Sequence, residues 1–342
     1  MNKDEEKQIS MVRTISLCVV VLWVAAIAVL APAPFRAQEQ FQFERELLGQ
    51  RRVFEGAGPG FRAIHRGPNG NYFVLTAPSA AVQIYDAAGK RIGQVPSQTA
   101  AKGSALVYGE SFDVDRDGHV AVSDRGANAV KLYAPNGSLA TTIPVSGPAS
   151  VALLPGGEIA IASPSKPQLV SVYDLAGKQV REYGDREEIA DSADINNQVN
   201  LGHLGADETG NTYFAFAYLP EPTARKFDRV GYLMMEISLK TLEFQPAAQA
   251  ARRAIARSDK GTPALHRIIT ALGVDPQTQE VWLAIGTLLM RFDKDGQRLA
   301  SFRTYMPGGA RIEASTILVE RDRLLIGADP QGIYEFPRPG KP

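Results

Sequence analysis

The sequence predicts an all-β protein of six repeats, each of four short strands, preceded by one N-terminal hydrophobic helix. Three observations predict it. Two kinds of turn recur along the chain at a nearly constant offset. Short apolar, β-rich runs flank each turn. A single long uncharged stretch stands ahead of them all.

That stretch comes first. The 22 residues between Arg13 and Arg36 carry no charge, and Ile15 to Leu30 is almost wholly apolar. About 20 apolar residues are what a helix needs to cross a bilayer core. Residues 1–36 therefore read as a signal peptide or a transmembrane signal anchor, with residues 15–34 as the membrane contact. Ala31-Pro32-Ala33 offers the small residues of a cleavage site, but Pro34 would follow the cut, and the run is longer than a usual signal core. Residues 37–49 read as a linker. The domain behind them is expected outside the cytoplasm, periplasmic or at the cell surface, anchored or, if cleaved, secreted.

The repeats occupy residues 50–337, and 338–342 are a tail. The first turn type is Asn/Asp/Gly-rich: Pro68-Asn69-Gly70-Asn71, Arg116-Asp117-Gly118-His119, Pro155-Gly156-Gly157-Glu158, Glu208-Thr209-Gly210-Asn211, Pro276-Gln277-Thr278-Gln279 and Glu320-Arg321-Asp322-Arg323. Such clusters supply the positive φ angles of tight hairpins. The second type follows an aromatic, as in Tyr85-Asp86-Ala87-Ala88-Gly89, Tyr133-Ala134-Pro135-Asn136-Gly137, Tyr173-Asp174-Leu175-Ala176-Gly177 and Phe292-Asp293-Lys294-Asp295-Gly296. Gly70 to Gly89 and Gly118 to Gly137 are each 19 residues, and Gly157 to Gly177 is 20. The fourth copy reads as stretched, with Thr241 standing 31 residues after Gly210. Four strands per unit at such a period are the pattern of a β-propeller. Six turn marks give six blades. The last lacks an outer strand, and Arg51-Arg52-Val53-Phe54 is expected to complete it.

One segment carries a family resemblance. Phe112-Asp113-Val114-Asp115-Arg116-Asp117-Gly118-His119-Val120-Ala121-Val122-Ser123-Asp124-Arg125-Gly126-Ala127-Asn128-Ala129-Val130 is similar to an NHL-type repeat, and blades one, three and five share its turns and apolar positions. The resemblance implies a six-bladed propeller. It implies no single function, because such propellers include binding scaffolds, lyases and lactonase-like hydrolases.

Composition narrows the classes. Lys+Arg and Asp+Glu are 37 each, so no basic footprint suggests nucleic acid. Cys18 is the one cysteine and excludes an internal disulfide. The insertions read as Pro96–Glu110 after blade one, Gly184–Asn200, Tyr218–Arg229 and Pro246–His266, all on one face and three of them beside blade four, which marks a binding face. Gly184–Asn200 is acidic, and Ala247 to Arg257 is alanine-rich and helix-prone. The candidate ligand-binding rim is Asp124, Arg125, Asn128, Asp185, Asp194, Asn197, Arg252, Arg253, His203 and Asp329.

The first reading is an extracytoplasmic, membrane-anchored module that binds a protein, peptide or glycan on that face. The alternative is a metal-dependent lactonase-like hydrolase or lyase at the channel mouth, with Asp124, Asn128, Asp194, Asn196, Asn197, Glu313 and Asp329 as the polar residues such a site would draw on. No catalytic residue, metal ligand or cofactor is assigned. A divalent cation such as calcium belongs only to the alternative.

Overall fold

The structure is a computed structural model describing residues 45–77, 79–101, 103–257 and 265–340. The expected hydrophobic helix lies outside these residues. No helix among the described residues is long and apolar enough to cross a membrane.

Two short strands open the described chain, β1 (Arg45–Leu48) and β2 (Arg51–Val53). Blade one is β3 (Phe61–Arg66), β4 (Tyr72–Thr76), β5 (Val82–Tyr85) and β6 (Arg91–Val95). Blade two is β7 (Gly109–Val114), β8 (Val120–Asp124), β9 (Ala129–Tyr133) and β10 (Leu139–Pro144). Blade three is β11 (Ser150–Leu154), β12 (Glu158–Ala162), β13 (Val170–Asp174) and β14 (Gln179–Tyr183). Blade four is β15 (Gly202–Ala206), β16 (Thr212–Phe216), β17 (Thr223–Phe227) and β18 (Leu233–Ser238). Blade five is β19 (Ile269–Val274), β20 (Val281–Ile285), β21 (Leu288–Phe292) and β22 (Arg298–Tyr305). Blade six contains β23 (Thr316–Val319), β24 (Arg323–Ala328) and β25 (Gly332–Pro337). Strand β2 lies antiparallel beside β25, with Arg52 opposite Tyr334. Strand β1 lies parallel to β22, with Arg45 opposite Phe302, and gives blade five a fifth strand. Leu47, in the stretch read as a linker, is buried in the apolar cluster that holds Trp282 and Phe336.

The six first strands, β3, β7, β11, β15, β19 and β23, neighbour one another in a closed ring around a channel. The middle strands are covered on both faces by adjacent blades. They therefore read as unbroken apolar runs, and every residue of β4, β8, β16 and β20 is buried. The outer strands β6, β10, β14 and β18 face water on one side and alternate or turn polar.

The recurrent aspartate of the turns has a mechanical role. Asp115 Oδ1 accepts from the N–H groups of Asp117 and His119, and Asp207 Oδ1 accepts from those of Thr209 and Asn211. Asp275 does the same for Gln277 and Thr278. Each is an Asx-turn that fixes the reversal from first to second strand.

The fourth copy is not stretched. Its second turn is Phe227-Asp228-Arg229-Val230-Gly231, in which Asp228 accepts from the N–H groups of Val230, Gly231 and Tyr232. Gly231 has φ 103° and lies against the Tyr183 ring, where a Cβ would come within 2.6 Å. Only glycine meets both demands. The connection from β16 to β17 is correspondingly short, and Tyr218–Arg229 is not an insertion. The two large elaborations around blade four join outer strands to the next first strand. They carry helix α1 (Ala193–Val199) and helix α2 (Gln245–Ala256).

Candidate functional site

The channel has two mouths. The wide one, about 1130 Å³, opens among the first-to-second strand turns. The narrow one, about 80 Å³, opens on the opposite face, where the elaborated connections end. Arg62, Ser111, Ser150, His203 and Ser315 line both and form the waist.

The wide mouth is larger, and many of its charges are already paired, within a blade or across two. Glu320 of blade six takes Arg66 at 3.1 Å and the Tyr72 hydroxyl at 2.9 Å from blade one, and Arg323 at 2.6 Å from its own blade. Glu280 takes Arg291 at 2.8 Å and Arg338 at 2.7 Å. Arg116 meets Glu208 at 2.7 Å, and His65 meets Asp113 at 3.1 Å. Four of the mouth's carboxylates, Glu320, Glu280, Glu208 and Asp113, thus already have a basic partner.

A second large concavity lies at the rim of blade four. It is a cleft of about 1000 Å³ between the α1 segment, α2 and the outer half of the blade. Its segments are rigidly built. Asn196 Oδ1 accepts from the N–H groups of Ile189 and Ala190, and its Nδ2 donates to Ala190 O. Asn200 bonds both ways with the Glu187 backbone. Arg225 reaches Glu187 and Glu236 and lies over the Phe216 ring. Ile195, Leu219, Pro220 and Ile255 supply apolar lining. Glu187, Asp191, Asp194, Glu221 and Glu236 stand against Arg225, Lys240 and Arg252, five acids to three bases.

The expected rim residues do not form one site. Asp124 is fully buried and paired with Lys131 at 2.9 Å. Burial raises its pKa, but bonds from the Tyr108 and Val107 N–H groups and from Lys131 outweigh this and hold it below the ordinary value. It is a structural anchor. Arg125 stands exposed at the narrow mouth. Asn128 accepts from Gly147 N–H, and Asp329 accepts from Gly60 N–H at 2.7 Å, so both tie loops. Asn197 holds Arg186 at 2.7 Å. The Asp185 carbonyl accepts from Arg225. Asp194 lines the rim cleft, as does Arg252, which pairs with Glu221. Arg253 is exposed, with its Nε on Gln249 O.

His203 sits at the waist with Nε2 against Ile269 O at 3.3 Å. Burial first, and the Arg267 charge second, press its pKa down to about 4. A histidine depressed in this way is neutral in the folded protein and free to charge when unfolded. Stability is therefore lost as pH falls from about 6.5 towards 4. Replacing it, as His203→Gln, is expected to remove about 1–2 kcal/mol of the difference in unfolding free energy between pH 7 and pH 5. Urea titrations at the two pH values check this, and an identical pH slope in both proteins refutes it.

Among the described residues, the side chains placed to share a cation are Asp115, Asp117 and His119. They belong to a turn, and Asp115 Oδ2 already meets His119 Nδ1 at 2.9 Å. Asp124, Asp194, Glu313 and Asp329 fall in no such group among the described residues.

Sequence reasoning missed the residues that fill the narrow mouth: Arg62, Tyr108, Glu110, Tyr218 and Arg267. Their signal was position alone. Glu110 and Tyr218 end or begin stretches read as insertions, and Arg267 follows one directly.

No protein-family model and no curated protein matches the chain. Solved structures do. The fold is similar to a streptogramin B lyase, with 12% identity over 83% of this chain and 85% of that one and a TM-score of 0.54. It is similar to virginiamycin B lyase from Staphylococcus aureus, with 14% identity over 85% of this chain and 88% of that one and a TM-score of 0.51. The chain is a six-bladed β-propeller. The extracellular domain of the one-component system BT4673 from B. thetaiotaomicron also shares the propeller fold, with 10% identity, 81% of this chain and 33% of that chain covered, and a TM-score of 0.50. Identities this low establish the architecture and nothing of the chemistry.

Proposed function

We propose that this propeller is an extracytoplasmic, membrane-anchored binding module of NHL-like repeat type that holds a basic protein or peptide segment in the rim cleft of blade four. The observation that carries the reading is the cleft itself, with an apolar lining, a rigid frame and five acids against three bases. Asp191 and Asp194 stand exposed on its acidic lip. An apolar interior with a polar rim of net negative charge suits an amphipathic partner of opposite charge. The apolar run from Ile15 to Leu30 supports placement at a membrane. The pairing of β2 with β25 supports a ring fastened by the chain that follows that run.

The test is fluorescence anisotropy with a labelled peptide of alternating Lys and Leu and its Glu-for-Lys counterpart. The basic peptide is expected to bind at least tenfold more tightly. The double substitution Asp191→Lys, Asp194→Lys is expected to weaken it at least tenfold with an unchanged Tm. Equal affinity for both peptides, or no response to the substitution, overturns the reading.

A further inference from the structure

The narrow mouth of the channel has an excess of positive charge in a confined space. Arg62 of blade one and Arg267, just ahead of blade five, reach the same oxygen, Glu110 Oε1 of blade two, at 3.8 and 3.2 Å. Each guanidinium lies over a tyrosine and meets its hydroxyl, Arg62 with Tyr108 at 2.5 Å and Arg267 with Tyr218 at 3.1 Å. Arg125 lines the same mouth, and Glu110 is the one acidic side chain among the lining residues. His203, held neutral there, adds no charge. Three arginines therefore face one carboxylate.

The donors are not exhausted by that carboxylate. Arg62 Nε is buried and has no hydrogen-bond partner, and Arg62 Nη1 is too far from Glu110 for a hydrogen bond. A buried donor left unmet is costly, as is uncompensated charge at a throat with low-dielectric walls. Cation–π contact and the tyrosine hydroxyls hold the two guanidinium groups in place, which is the preorganisation an oxyanion receptor requires. The volume of about 80 Å³ suits a small anionic group and not a whole peptide.

We propose that the narrow mouth is an oxyanion seat, receiving the carboxylate or phosphate of a small acidic ligand between Arg62 and Arg267, with Glu110 as the built-in competitor for the same donors. The ligand enters from the elaborated face. Its anionic oxygens meet Arg62 Nη1 and Arg267 Nη2, and Arg125 adds attraction from the rim. The seat shares no lining residue with the blade-four cleft, so it stands or falls independently of that assignment.

The competitor relation gives the test its sign. Calorimetric titration of the full-length protein in detergent with inorganic phosphate, and separately with succinate, is expected to show saturable binding that weakens with added chloride. Glu110→Gln keeps the side-chain shape and removes the internal anion. It is expected to tighten binding at least fivefold and to enlarge the rise in Tm at saturating ligand. Arg267→Met and Arg62→Met are each expected to weaken binding at least tenfold. The phosphate and succinate arms identify which anion the seat prefers. Absence of binding in both wild type and Glu110→Gln overturns the proposal. So does binding that Glu110→Gln fails to tighten, or that both arginine variants retain.

Discussion

Replacing Glu280 with alanine is expected to lower the unfolding free energy by about 3–5 kcal/mol. Arg291 is 3% exposed and gives Glu280 a two-pronged contact, Nε to Oε2 at 3.0 Å and Nη2 to Oε1 at 2.8 Å. Its third nitrogen donates to the carbonyls of Pro339 and Gly340. Arg338 crosses from the end of blade six to Glu280 at 2.7 Å and Asp275 at 2.6 Å of blade five. Alanine would leave the Arg291 charge buried without its carboxylate and loosen the C-terminal strap that joins the two blades. Glu280→Gln keeps an acceptor and is expected to cost about half as much.

The same cluster predicts acid sensitivity. Burial raises the pKa of Glu280, and Arg291 and Arg338 outweigh it; burial raises that of Asp275, and the turn's donors with Arg338 outweigh it. Both carboxyls end below their ordinary values. Their contribution is therefore present above the unfolded-state pKa, near 4, and lost as pH falls through the folded values. Urea unfolding at pH 7 and pH 4 is expected to show a smaller acid loss in Glu280→Ala than in the wild type. A penalty under about 1 kcal/mol at pH 7 would show that the strap is dispensable.

The second large effect is expected at Phe54. Its ring lies 5.2 Å from Tyr72 and 5.1 Å from Tyr85, within the cluster between blades one and six. Its backbone is left-handed, with φ 53°, an unfavourable state for a bulky residue that packing must sustain. It also follows β2 directly, so one side chain seats in blade one while the preceding strand lies on blade six. Phe54→Ala is expected to cost about 3–5 kcal/mol. It should also speed trypsin cleavage at Arg51 and Arg52. If the unfolding midpoint stays put and cleavage is no faster, the segment before Phe54 is not part of the cooperative unit.

Much of the blade pattern was legible because it is local. A turn built on Asp115 or Asp207 needs its aspartate, its glycine and its donors within five residues, so the motif repeats wherever the turn repeats. Burial of the middle strands on both faces writes continuous apolar runs into the sequence. The misreading in blade four shows the limit. Phe227-Asp228-Arg229-Val230-Gly231 carries the aromatic, aspartate and glycine of the second turn, ahead of Thr241, where the stretched reading of the fourth copy places that turn. Acidic and Arg-rich segments did mark the blade-four rim, and Asp194 and Arg252 do line its cleft. Asp124, by contrast, looks like a surface acid and is a buried anchor for Lys131.

The chain alone determined six hairpin-linked repeats and the elaborated face, because period, turn residues and loop length are properties of neighbours in sequence. Only the tertiary structure decided which charges meet. Arg62, Glu110 and Arg267 come from separate blades, and Arg66 finds Glu320 across 254 residues. No local spacing encodes such meetings. The curvature of the whole ring brings them together at its axis and its seam, where confinement turns ordinary surface residue types into a lock or a receptor.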